Sequence, residues 1–134
     1  MAASKDGTQV PVNIVRKKGL ALDSNHPCLV TAYGGYGVNI TPAFRPQLAA
    51  LLERGFVWAE ANIRGGGEFG EPWHAGGCLT LKQNVFDDFA VVCNHMVARG
   101  YTTHERLAIQ GGSNGGLLMG ATFTQHPDIA RAVV

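Results

Sequence analysis

Ser113 stands in the string Gly111-Gly112-Ser113-Asn114-Gly115, with glycine at both of its second neighbours. A hydroxyl held this way suits acyl transfer. A sharp turn lifts it clear of the backbone, and side chains at Gly111 and Gly115 would collide with the segments entering and leaving that turn. The same turn aims the N–H of Asn114 at the place where an attacked carbonyl develops negative charge, and a helix opening there adds a favourable field. Asn114 is therefore the local oxyanion donor, and Gly111, Gly112 and Gly115 are the turn glycines. A free serine hydroxyl is a weak nucleophile, so it also needs a base within hydrogen-bond reach and a group that orients the base.

Such a turn needs a strand before it and a helix after it. Leu107 to Ile109 is a short apolar run leading to Gly111, and Leu117, Leu118, Ala121 and Phe123 predict a buried helix over Asn114 to Gln125. The pattern repeats upstream. Cys28 to Tyr33 is rich in strand formers and stops at Gly34-Gly35-Tyr36-Gly37. From Pro46, Leu48, Leu51 and Leu52 recur at helical spacing up to Gly55, and Phe56 to Ile63 follows as a buried strand. Arg64 to Gly77 is glycine-rich with Pro72 and Trp73 embedded, which predicts a long irregular loop. Asn84 to Arg99 carries Phe86, Phe89, Val92, Cys93 and Met96 as a broad helical stripe closed by Gly100. Thr8 to Val15 alternates polar and apolar residues around Pro11, which suits an edge strand, and Ile129 to Val134 opens another apolar strand. Strands alternating with helices predict an α/β domain, a mostly parallel sheet with helices on both faces. With a glycine-flanked serine at a strand-to-helix turn, this is the α/β-hydrolase type, expected to be cut short after the helix that follows Ser113.

That fold places its acid and histidine after the serine, in the order serine, acid, histidine. His126 is the one histidine after Ser113, and a helix rising about 1.5 Å per residue carries it roughly 20 Å away. His26, His74, His95 and His104 precede the serine and read as surface or loop residues, His74 inside the glycine-rich loop. The acid and the base are therefore expected beyond Val134. Gly65-x-Gly67-x-x-Gly70 also matches a dinucleotide-binding spacing, but Glu71-Pro72-Trp73-His74-Ala75-Gly76-Gly77 is a poor start for the helix that must hold a pyrophosphate. Arg64 and Glu68 read more simply as loop-stabilising charges, and Asp87 and Asp88 as helix-face residues near an N-terminus, where negative charge is favourable.

Several further strings lie in the same order as in one family: Tyr33-Gly34-Gly35-Tyr36-Gly37 after a strand, Asn62-Ile63-Arg64-Gly65-Gly66-Gly67-Glu68-Phe69-Gly70, Trp73-His74, Lys82-Gln83-Asn84 with Phe86-Asp87-Asp88-Phe89, and Gly111 to Gly116. Over nearly its whole length the chain resembles the prolyl oligopeptidases. The resemblance implies a serine endopeptidase that cleaves short peptides after proline through an acyl-enzyme at Ser113. It implies that the Tyr33 hydroxyl joins the Asn114 N–H in the oxyanion hole and that Tyr36 stands where the family has an aromatic wall for proline, usually phenylalanine. It also implies a peptide substrate and no metal or organic cofactor. Related oligopeptidases that cut after basic residues share much of this scaffold; Asn114 and the Trp73-His74 surroundings lean toward the proline branch. The family's acid, histidine, remaining proline pocket, substrate-holding arginine and covering β-propeller have no counterpart here. Residues 1–134 are thus expected to be a partial catalytic domain, inactive alone. A non-catalytic hydrolase-fold segment that binds a partner is the alternative.

Composition excludes other classes. With 46% hydrophobic and 16% charged residues in 134, the chain has the make-up of one globular domain or part of one. Eleven basic against ten acidic residues, without a run of like charge, give neither a nucleic-acid footprint nor a polybasic membrane anchor. No stretch approaches the roughly 18 apolar residues of a membrane span, and Met1 to Gly7 has no apolar signal region, so a cytoplasmic protein is expected. Cys28, Cys78 and Cys93 have neither disulfide nor zinc spacing and are expected to be buried thiols.

Overall fold

The computed structural model describes all 134 residues. In chain order its elements are β1 (Ala2–Ala3), β2 (Gln9–Val10), β3 (Val12–Val15), β4 (Cys28–Thr31), α1 (Pro46–Glu53), β5 (Val57–Ala61), α2 (Glu71–Ala75), α3 (Gln83–Ala98), β6 (Leu107–Gln110), α4 (Asn114–Gln125) and β7 (Ala132–Val133). The main sheet has the order β3-β5-β4-β6-β7. Only β3 runs antiparallel, paired with β5, while β4, β5, β6 and β7 are parallel to their neighbours. Pro11 separates β2 from β3. A residue without an N–H is tolerated there because β3 is an edge strand.

Register explains how the two faces differ. Cys28, Val57 and Leu107 are aligned, as are Val30, Ala59 and Ile109, and all six are buried at 1% exposure or less. They form one continuous core with Phe89, Val92, Cys93 and Met96 of α3 and Leu118 and Met119 of α4. The opposite face presents Trp58 and Glu60, which lie close to Arg45, the residue that precedes α1. Its guanidinium sits 5.8 Å from the Trp58 ring centroid and donates to Glu60 Oε1 at 2.8 Å. Helices thus cover both faces, as the alternation of elements predicts, and the fold is of the α/β-hydrolase type.

Three expectations need correction. Glu71 to Ala75 is helical despite its glycine-rich surroundings, because Pro72 falls in the first turn, where the missing N–H costs nothing. In α4 the buried stripe is Gly115, Leu118, Met119 and Thr122, whereas Leu117 and Phe123 are exposed. The close approach of Gly115 to the Ala32 carbonyl fixes the rotation of that helix. Asp88 is no surface partner of a helix dipole: it is fully buried and receives both Nε and Nη2 of Arg64. Ser4 donates to the same carboxylate, and Arg64 also reaches Asp6. This network ties the β1–β2 hairpin to α3 and to the loop after β5. Arg64 does hold its loop, and Asp87 pairs with Lys5 at 2.7 Å.

Candidate active site

The site begins where β6 hands the chain to α4. Ser113 has φ 57° and ψ −118°, a conformation that costs a non-glycine residue about 1–3 kcal/mol and persists only where the surroundings impose it. A Cβ on Gly111 would overlap the carbonyl of Gly115, and one on Gly115 would meet the Ala32 carbonyl at 3.0 Å. Close packing thus requires glycine at Gly111 and leaves little room at Gly115. Gly112 is different: its Cβ would enter open space, so this position does not depend on glycine. Ser113 is exposed, and Asn114, as first residue of α4, has an N–H with no partner within the helix.

Two glycine-rich loops pack beside this turn. Gly34 has φ +64°, and a Cβ there would overlap Ile63 and Val85; at Gly65, φ +88°, it would meet the Gly34 carbonyl at 2.6 Å. Backbone lies directly on backbone, pinned by the bond from Gly37 N–H to the Gly65 carbonyl at 3.0 Å. Asn62 donates to Glu68 and to the Ile40 carbonyl, and Trp73 Nε1 donates to the Ile63 carbonyl at 3.1 Å. The Tyr33–Gly37 loop is bound to the elbow by Asn114, whose Nδ2 donates to the Tyr33 carbonyl at 2.6 Å. Tyr33 is half-buried at the end of β4, and Tyr36 is 80% exposed at the loop's corner.

Between these loops and α4 lies a cleft of about 600 Å³, lined by Gly35, Tyr36, His74, Lys82, Asn114 and Leu117 among others. It holds no carboxylate. Lys82 Nζ donates to the Gly34 carbonyl at 2.8 Å, and burial pushes its ammonium below the ordinary lysine value while Cys78 acts in the opposite direction. Cys78 also lines this cleft and is half-buried, unlike Cys28 and Cys93, so the expectation of three buried thiols holds for two. Its exposure follows from its place in the loop beyond α2, outside the sheet core. The roles of Lys82 and of the Asn114 side chain were invisible in sequence because their backbone partners lie 48 and 81 positions away.

None of the five histidines is hydrogen-bonded to Ser113. His74 Nδ1 lies 2.9 Å from the Gly65 carbonyl, His104 Nδ1 is 2.8 Å from the Ile129 carbonyl, and His26 Nε2 is 2.8 Å from the Ala21 carbonyl. His95 is on α3, and His126 caps the far end of α4. The dinucleotide spacing fails on firmer ground than helix propensity. The helix after it has five residues, and the N–H groups of Gly65, Gly66, Gly67 and Gly70 are bonded to Trp73, Ile63, Val38 and Gly67 carbonyls. No helix is long and apolar enough to cross a membrane.

The chain is similar to known proteins along almost its entire length. It is 45% identical over 128 residues to the prolyl endopeptidase of Elizabethkingia meningoseptica, a match covering 96% of this chain and 18% of that protein. A solved structure from a study of two prolyl endopeptidases superposes with a TM-score of 0.97 at 52% identity, covering 98% of this chain and 20% of the other. Oligopeptidase B from Leishmania major superposes with a TM-score of 0.94 at 37% identity, over 98% and 18%. The chain therefore spans about a fifth of the length of the relatives it matches. Residues 42–134, which contain the cleft-lining α2–α3 segment, β6, the strained serine and α4, match the model of the prolyl oligopeptidase family. The chain belongs to that family of peptidases.

Proposed function

We propose that Ser113 is the nucleophile of a serine endopeptidase that cleaves short peptides after proline, with the acid and histidine supplied from outside residues 1–134. The observation that carries this reading is the strained Ser113 backbone between β6 and α4, locked by close contacts at Gly111 and Gly115. The hydroxyl attacks the carbonyl carbon of the proline residue, the base takes its proton and returns it to the departing amine, and water then hydrolyses the acyl-enzyme. The Asn114 N–H and the Tyr33 hydroxyl stabilise the oxyanion. Tyr36 offers an exposed ring to the proline side chain. The partner is thus a peptide, and the mechanism calls for no metal or organic cofactor.

Cleavage after proline is favoured over cleavage after basic residues by the degree of similarity, 52% identity to a solved structure from a study of prolyl endopeptidases against 37% to oligopeptidase B. The test compares succinyl-Gly-Pro and benzoyl-Arg reporters with the complete protein and its Ser113→Ala variant. Turnover confined to the proline reporter and lost in Ser113→Ala supports the proposal. Preference for the arginine reporter contradicts the specificity, and activity in Ser113→Ala contradicts the nucleophile.

A further inference from the structure

The loop that carries Tyr33 is held at two successive carbonyls by two different parts of the chain. Asn114 Nδ2, from the first turn of α4, donates to the Tyr33 carbonyl at 2.6 Å. Lys82 Nζ, from the turn before α3, donates to the Gly34 carbonyl at 2.8 Å. The fit is close on both sides. A Cβ at Gly35 would run into the Asn114 carboxamide, and a Cβ at Gly34 would press on Val85 and Ile63. The Lys82 head is further confined 6.0 Å above the Phe86 ring. Lys82 is charged, so its bond to a carbonyl is of the stronger, charge-assisted kind.

We propose that the Lys82 ammonium and the Asn114 carboxamide are positioning residues: together they clamp the Tyr33–Gly34 peptide to the elbow and so fix the Tyr33 hydroxyl relative to Ser113 and the Asn114 N–H. This rests on the oxyanion role of Tyr33 proposed above. An oxyanion hole built from donors on separate segments stabilises charge only if their spacing is set before the reaction, and here β4 and α4 are joined by no covalent connection short enough to set it. Without the clamp, the bond from Gly37 N–H to the Gly65 carbonyl still anchors the far end of the loop, but the Tyr33 and Gly34 carbonyls lose the side-chain donors that hold them.

The test uses Lys82→Met, Lys82→Arg and Asn114→Ala in the complete protein, each alone and combined with Tyr33→Phe. Lys82→Met is expected to lower kcat by about 10- to 100-fold with KM changed less than about threefold, because a misplaced donor is lost chiefly in the transition state. Lys82→Arg should recover part of that loss. In the Tyr33→Phe background, Lys82→Met and Asn114→Ala should cost little more, since both act through the missing hydroxyl. Hydrogen exchange without substrate should show faster exchange at the amides of Gly37 and Val38 in Lys82→Met. Unchanged exchange, or a kcat loss of equal size with and without the Tyr33 hydroxyl, overturns the clamp. If Tyr33→Phe itself leaves kcat unchanged, the oxyanion reading falls and the clamp's catalytic role with it, while exchange still reports whether the loop is held.

Discussion

At the residue scale, the account turns on which glycines around Ser113 are needed. Gly111 faces the Gly115 carbonyl too closely for any side chain and Gly115 stands tight against the Ala32 carbonyl, whereas Gly112 faces open space. Gly111→Ala is therefore expected to destabilise the fold by about 1–3 kcal/mol, the usual range for overpacking, and Gly112→Ala to stay within about 0.5 kcal/mol. Urea denaturation of the two variants separates these outcomes, and equal losses would mean that the turn is held by something other than the outer glycines. The string around Ser113 made its chemistry legible in sequence because the constraint is local: the residues that must be small lie within two positions of the one that reacts. Tyr33 could be found only through resemblance, since 81 positions separate its carbonyl from the Asn114 amide that holds it.

At the scale of elements, the least legible feature is the link between the β1–β2 hairpin and the site. Two-residue strands carry no periodicity, and Arg64 and Asp88, 24 positions apart, give no pattern that marks them as a pair. The helices α3 and α4, long and striped, were readable to within a residue of their observed ends. Asp88 is fully buried against the Arg64 guanidinium, whose protonated form is held mainly by Asp88, against the cost of burial, and further by Asp6. Asp88→Ala removes the buried partner of that cation and leaves it the half-exposed Asp6, so a loss of about 3 kcal/mol, the lower end for a broken buried pair, is expected, measured by denaturation. Asp6 is half exposed, and its carboxyl is held below the ordinary value of 3.8 chiefly by the hydrogen bond from Arg64, with Thr8 assisting. A lowered folded-state pKa means that its contribution is complete above about pH 3.8 and is lost as pH falls further. Asp6→Asn should lower stability at neutral pH and flatten the acid limb below about pH 3.8, so that the two profiles converge as pH falls.

For the whole molecule, the three cysteines report whether the fold is intact. Cys28 is sealed between β5 and β6, where burial pushes its thiol up to about 12, and Cys93, facing the same core from α3, is pushed up by burial as well. Cys78 is partly exposed in the cleft. A thiol titration of the folded protein at neutral pH should count one of these three, and all of them after denaturation. Reaction at Cys28 or Cys93 without denaturant would mean that the core opens readily. The layered architecture was legible from the alternation of strand and helix patterns, but which face each helix covers depends on strand register, set by pairings such as Cys28 with Val57 and Leu107.

The central claim, that Ser113 is an acylable nucleophile whose base lies outside these residues, is tested most directly by fluorophosphonate labelling of residues 1–134 and of the complete protein, each beside its Ser113→Ala variant. The account predicts labelling of the complete protein, its loss in Ser113→Ala, and none in the folded 134-residue chain, where no histidine bonds to the serine. Ser113-dependent labelling of residues 1–134 alone would contradict it, because the base would then have to come from His26, His74, His95, His104 or His126.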